Sequence, residues 1–185
     1  MPDILVTSKG LAGGYFPLGF VAAKGSDVEL LRTALGDFNH GGTFSHHPVG
    51  AAAGLAVLDI LEGEGLVERA RFMGGRLTEA LHARFGEHPF VGDIRGRGLF
   101  QGLELVADRA TKKPFAAKHK VASNVHYSAF DHGVSVYYSQ GCVDGTDGDL
   151  IMFGPPLIID ETHIAQMVEV AGRAIDVVTA RASST

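Results

Sequence analysis

The sequence predicts a layered protein of α/β or α+β class, and three observations carry that reading. Short β-branched apolar runs alternate with longer helical stretches along all 185 residues. Two of the helical stretches keep apolar residues at three- and four-residue steps. Glycine-rich turn chemistry separates the segments. With 45% hydrophobic residues, the chain has enough apolar surface for a core in one domain or two small ones.

Taken in order, Asp3–Ser8 (DILVTS) is short and β-branched and reads as a buried strand. A loop follows to Gly19, and Phe20–Lys24 is a second strand. Ser26–Leu35 opens with Ser26 as N-cap and acidic residues in the first turn, a helix start. Gly36–His47 has turn chemistry and no period, so it is a loop. Pro48–Gly65 begins on proline, is rich in alanine and ends in glycines, a closely packed helix. Leu66, Ala70, Met73, Leu77, Leu81 and Phe85 then form one apolar helix face. Phe90–Val106 gives two strands joined by RGRG, and Ala116–Gly133 a helix stopped by Gly133. Val134–Tyr138 and Leu150–Phe153 are strands separated by the polar loop SQGCVDGTDGD. The last helix takes Asp160 as N-cap and buries Ile164, Met167, Val168, Ala171, Ile175 and Val178. The acidic-glycine stretch Glu62–Gly65 marks a boundary between residues 1–64 and 65–185.

Composition excludes several classes of function. The net charge is −5 with both signs interspersed, which argues against a nucleic-acid surface and a polybasic membrane anchor. The longest apolar stretch, GAAAGLAVLDIL, is too short to span a bilayer. The first residues lack the basic segment and apolar core of a signal peptide. Cys142 is the one cysteine, so no internal disulfide forms, which fits a reducing cytoplasm.

Two residues invite chemistry. Lys9 stands at the end of a strand before a glycine loop, in TSKGLAGGYFPLG. Such a lysine is either solvated or partly desolvated. Desolvation favours the neutral amine, a nucleophile toward carbonyls. A glycine-loop nucleotide site would need the lysine after the glycines, followed by serine or threonine; here it precedes them. Thr43, in GGTFSHHP, has a hydroxyl able to donate to a phosphate oxygen, beside glycines and just before a helix. It serves equally as a turn residue. His40, His46 and His47 lack the acidic or cysteine partners of a zinc site and read as loop residues. Cys142 has no flanking basic group to activate it. Arg95 and Arg97 flank Gly96 and are either solvated charges at a turn or a carboxylate clamp.

The order PDILVTSKGLAGGYFPLGFVAAK, FNHGGTFSHHPVGAAAGLAVLDIL, IRGRGLFQGLELV, GDLIMFGPPLIID resembles the class III (omega-type) aminotransferases over nearly the whole chain. The resemblance implies an α/β protein of the pyridoxal-phosphate fold type I. Residues 1–64 would be the end of the large cofactor domain and 65–185 the small C-terminal α/β domain. It implies pyridoxal 5′-phosphate as cofactor, with Lys9 in the Schiff-base position and as general base and acid. Thr43 would bind the phosphate in the neighbouring subunit's site, so a homodimer is implied. The reaction would move an amino group from an amine donor to a keto-acid or aldehyde acceptor. An aminomutase, decarboxylase or racemase on the same fold is the alternative, as is a non-catalytic remnant. The family's larger part lies before the lysine, where this chain has only Met1–Ser8. The chain therefore looks like the C-terminal part of such an enzyme, inactive alone. Many relatives carry an arginine between the two late strands, whereas Val134–Phe153 has no arginine or lysine. Asp144, Asp147 and Asp149 stand there instead, either as solvated turn residues or aimed inward against a substrate carboxylate. This implies amine donors lacking an α-carboxylate.

Overall fold

The computed structural model describes residues 2–37 and 41–184. Two compact units divide the chain, Met1–Leu66 and Val67–Thr185.

In the first unit, β1 (Ile4–Thr7) and β2 (Phe20–Ala23) form an antiparallel ribbon, with Ile4 opposite Ala23 and Thr7 opposite Phe20. One 3-10 turn, Lys9–Ala12, follows β1, and α1 (Gly25–Leu35) follows β2. The second helix, α2 (Pro48–Gly63), starts on proline, whose fixed φ suits a first helical position and whose missing N–H costs nothing there. Asp3–Ser8 was expected to be a buried strand. The strand forms, but Ile4, Leu5 and Val6 are exposed, because within this unit the ribbon has no covering layer. The expected N-cap Ser26 lies inside α1, which begins at Gly25 without a side-chain cap. Its hydroxyl instead lies 3.4 Å from the Asp27 carboxylate.

The second unit holds the core. All of α3 (Leu66–Phe85) but its first residue belongs here, followed by β3 (Val91–Arg97) and β4 (Phe100–Leu105). Then come α4 (Val121–Phe130), β5 (Tyr137–Gln140), β6 (Asp149–Phe153) and α5 (Glu161–Ser183). The four strands make one antiparallel sheet in the order β3-β4-β6-β5. Leu103 pairs with Ile151 and Gln101 with Phe153, so alternate residues of β4 and β6 share the buried face. Met73, Leu77, Leu81 and Phe85 of α3 and Ile164, Ala171, Ile175 and Val178 of α5 join them in one apolar cluster. Asp160 caps α5, its carboxylate accepting the His163 N–H at 2.9 Å.

Three element boundaries differ from the sequence reading. β3 continues through Arg97, and the turn is Gly98–Leu99 rather than RGRG. Gly98 must approach α3 closely: a Cβ on Gly74 would sit 2.3 Å from the Gly98 carbonyl carbon. The helix expected over 116–133 begins at Val121, after a 3-10 turn and a left-handed Lys120. The break has a cause in the distant acidic loop, where Asp147 accepts the Ala117 N–H and Asp149 the Ala122 N–H. The late strand lies at Tyr137–Gln140, not Val134–Tyr138. Val134 and Val136 are buried instead, Val134 N–H bonding Ala129 O and His126 Nδ1 lying 2.5 Å from Val136 O.

Candidate active site

Lys9 is lifted off the end of β1 by its own backbone. Ser8 is extended and Lys9 takes φ +53°, the left-handed region that non-glycine residues seldom occupy. Strain of this kind persists only where surrounding contacts fix it, and it gathers at functional sites. The chain turns tightly after it: Leu11 N–H bonds Ser8 O, Gly13 N–H bonds Gly10 O, and Tyr15 N–H bonds Ala12 O. Lys9 is exposed and its ammonium has no partner among the described residues. A side chain added at Gly10 or Gly14 would meet open space, so the backbone beside the lysine is accessible to a ligand.

The same loop is fastened to α2. Phe16 lies over Gly50, where a Cβ would come within 2.7 Å of its ring, and Leu18 lies over Gly54 at the same 2.7 Å. Both glycines are buried. Gly13 approaches Val57, so Gly50, Gly54 and Val57 form one face of α2 under the loop. The loop returns to β2 at Gly19, packed against Thr7 O and the Ser8 side chain.

Thr43 begins the turn that leads into α2. The turn is closed by Ser45, whose N–H bonds Gly42 O at 2.9 Å and whose hydroxyl accepts the Gly42 N–H at 2.8 Å. Thr43 is exposed, and its hydroxyl has no partner among the described residues. His46 is left-handed at φ +61°. His47 precedes the first turn of α2 and sets its ring 5.1 Å from that of Phe16. Its Nδ1 is buried with no hydrogen-bond partner among the described residues. His40 lies outside the described residues. An open, largely apolar groove of ≈ 840 Å³ runs along Phe20, Val21, Val28 and Leu31 to Ser45 and His46, joining the ribbon, α1 and the Thr43 turn. No hydrogen bond links Lys9 to Thr43 among the described residues; Phe16 and His47 are the side chains that connect their loops. Sequence reading passed over Phe16 and Leu18, although the four-residue spacing of Gly50 and Gly54 on a helix is a legible signal of close packing.

The second unit uses its charges structurally. Arg95 donates to Asp93 at 2.7 Å and to Glu104 at 3.0 Å on the outer face of the sheet. That hydrogen bond from Arg95 lowers the Asp93 pKa. The acidic stretch also turns its carboxylates on backbone N–H groups, its own and those around the start of α4. Asp144 accepts from Thr146 and Asp147 N–H, Asp147 from Ala117 N–H, and Asp149 from Ala122 N–H. Asp149 is 3% exposed, and burial raises its pKa against these bonds. The three aspartates are therefore not all solvated: Asp149 is buried, whereas Asp144 is exposed and its bonds to backbone N–H groups lower its pKa. Among the described residues no three histidine, cysteine or acidic side chains cluster to hold a metal, and no helix is long and apolar enough to cross a membrane.

The chain is similar to an uncharacterized aminotransferase of Schizosaccharomyces pombe, 44% identical over 177 residues, covering 94% of this chain and 38% of that protein. It is 32% identical over 175 residues to a putrescine–pyruvate aminotransferase of Pseudomonas aeruginosa, covering 95% of this chain and 36% of that one. The crystal structure of a transaminase from the marine bacterium Virgibacillus superposes with a TM-score of 0.88 at 35% identity, over 98% of this chain and 40% of that one. The chain thus spans under half the length of the curated relatives it matches. The lysine loop, the threonine turn and the four-stranded sheet all lie within residues 1–175, which match the family model for aminotransferase class-III, and the chain belongs to that family.

Proposed function

We propose that this chain carries the cofactor lysine of a pyridoxal-phosphate-dependent aminotransferase, which passes an amino group from a small amine donor to a keto-acid or aldehyde acceptor. Pyridoxal 5′-phosphate, when bound, supplies an aldehyde that joins a lysine amine and a ring that takes up the electron pair left at a substrate carbon. The residues present fit two parts of that molecule. Lys9 Nζ is a primary amine without a partner among the described residues, beside backbone open at Gly10 and Gly14. Thr43 offers a hydroxyl without a partner among the described residues, just ahead of the N-terminus of α2, whose backbone dipoles favour an anion.

Lys9 would hold the cofactor through Nζ, and the same amine, when free, would be the base that takes the proton from the substrate carbon bearing the amine. Thr43 donates to a phosphate oxygen of the neighbouring subunit's site, so the working state is a homodimer. Val134–Phe153 offers no cation, so a donor without an α-carboxylate suits this chain, in line with the diamine named for the Pseudomonas aeruginosa relative. The exposed free thiol of Cys142 suits a reducing compartment, the cytoplasm.

The left-handed Lys9, whose side chain has no partner among the described residues, is the observation that carries this reading. Borohydride reduction of the chain with pyridoxal 5′-phosphate should leave the added mass on the peptide containing Lys9. Label on Lys24 or Lys120 in preference to Lys9 overturns it. Thr43→Ala should weaken cofactor affinity by about 1–3 kcal/mol, the cost of a lost bond to a charged group. Unchanged affinity in a cofactor-loaded dimer removes the role of Thr43.

A further inference from the structure

We propose that Phe16 and Leu18, seated over Gly50 and Gly54, are positioning residues that hold Lys9 in its left-handed conformation. This inference rests on the reading of Lys9 as the cofactor lysine.

A lysine at φ +53° needs external support, since the extended or helical regions cost its backbone less. The Lys9 side chain has no partner among the described residues, so the support comes from the 3-10 turn that Lys9 begins and from its flanks. On the N-terminal side, β1 is paired to β2, and Gly19 closes against Thr7 and Ser8. On the C-terminal side the loop is anchored at two points, Phe16 over Gly50 and Leu18 over Gly54. Both anchors lie on one face of one helix, four residues apart, and a side chain at either glycine would occupy the anchor's place. The anchors are thus the part of the loop that a single methyl group would dislodge.

Phe16 has a second contact. Its ring meets His47 at 5.1 Å, and His47 joins the Thr43 turn to the first turn of α2. One aromatic side chain therefore touches the loop of the amine, the helix seat and the segment that carries the phosphate-binding hydroxyl. The amine must meet the aldehyde of the bound cofactor, so the loop that carries it must be held in place. Errors of about 1 Å in such placement cost on the order of a hundredfold in reactions that depend on orientation.

The test uses the full chain and three measurements. Variants are Leu18→Ala and Phe16→Ala, which remove an anchor, Gly54→Val, which blocks a seat, and the pair Gly54→Val with Leu18→Ala, which frees space for the new side chain. Hydrogen exchange reads the order of residues 8–19. Borohydride trapping reads the share of pyridoxal 5′-phosphate that lands on Lys9 rather than Lys24, and cyanoborohydride trapping of propanal reads the bare accessibility of the same amines. Each single variant is expected to speed exchange in residues 8–19 by about tenfold. It should lower the cofactor share on Lys9 by about tenfold while leaving propanal labelling within about twofold. The paired variant should restore at least half of the lost share. Unchanged exchange in Leu18→Ala and Gly54→Val overturns the inference, because the anchors then hold nothing. Faster exchange with an unchanged cofactor share also overturns it, because the anchors then stabilise the loop without placing the amine. A different pattern marks failure of the underlying reading. The unsubstituted chain would then show no preference for Lys9 with the cofactor while its loop exchange responds to the variants.

Discussion

The two units of the chain handle their apolar residues in opposite ways. The second unit gathers residues from α3, α4, α5 and the inner face of its sheet into one cluster in which Leu77, Phe85, Leu103 and Ile151 are fully buried. Among the described residues of the first unit, the buried apolar side chains are Ala12 and Leu66, the latter at the very boundary. Val6 is 70% exposed and Leu35 74%. Both segments read as apolar in sequence, so the difference lies in layering. A four-stranded sheet with helices on one face closes a core. A two-stranded ribbon beside two helices does not, and an isolated ribbon is marginal on its own. The second helix carries the clearest sign. Gly50, Gly54 and Val57 face the lysine loop, while Val49, Leu55, Leu58 and Ile60 stay exposed, so it is apolar on all sides. A helix of that kind belongs in the interior of a larger body. The relatives are long enough to supply one, since this chain spans 38% of the Schizosaccharomyces pombe protein.

The largest test of this contrast is direct. Phe85→Ala and Leu103→Ala each delete a fully buried side chain and should cost about 3–5 kcal/mol. Val6→Ala and Leu35→Ala remove exposed groups and should stay within about 0.5 kcal/mol. Urea denaturation of the full chain followed by circular dichroism measures both sets. Equal costs for Val6→Ala and Leu103→Ala would mean that the first unit has a core after all.

Two glycines sharpen the contrast at smaller scale. A Cβ at Gly74 would press on the backbone of Gly98 at 2.3 Å, and the β3–β4 turn cannot retreat without dragging the sheet. Gly74→Ala should therefore destabilise the chain by about 1–3 kcal/mol. At Gly54 the opposing atom is the tip of Leu18, which can turn aside. The better helix propensity of alanine, worth up to about 1 kcal/mol, offsets much of that cost. Gly54→Ala should leave global stability nearly unchanged while loosening the lysine loop. A loss in Gly54→Ala as large as that in Gly74→Ala, in the same denaturation experiment, breaks the distinction between a seat for a side chain and a backbone contact.

What could be read from sequence follows the same division. The faces of α3 and α5 were legible because period and burial agree there: Met73, Leu77, Leu81 and Phe85 recur as they pack. Asp160 was legible because a cap is a local event. The start of α4 was not, since it depends on Asp147 and Asp149 reaching back across about thirty residues to bond Ala117 and Ala122. The exposure of Ile4, Leu5 and Val6 was not legible either. A β-branched run announces a strand but not whether anything covers it. At the candidate site, Lys9 and Thr43 stood out by residue type and motif order. The left-handed backbone of Lys9 and the Phe16–His47 contact did not, because residue type does not announce the first and the second joins residues about thirty apart in the chain.

The smallest expected effect separates a buried carboxylate from an exposed one within the well-packed unit. Burial raises the pKa of Asp149 above its unfolded value, although the Ala122 N–H and Gln140 oppose the shift. Between the two values the folded chain binds more protons than the unfolded one, so this group's contribution to stability falls as pH rises through the window. Asp160 behaves in the opposite sense. The His163 N–H, and then its side chain, lower the pKa. That contribution is present at neutral pH and is lost as pH falls through the lowered value. Asp149→Asn keeps an oxygen for Ala122 and removes the buried charge. Relative to the unsubstituted chain, it should gain stability as pH rises. Asp160→Asn retains a capping oxygen but loses the charge at the helix N-terminus. Its deficit should be small at neutral pH and vanish on acidification. Urea midpoints of the three chains from about pH 3 to pH 7 bracket the ordinary carboxylate range and measure both. The two difference curves should slope in opposite directions. Parallel curves would mean that the Asp149 side chain is solvated, and with it that the acidic loop does not anchor α4 through a buried carboxylate.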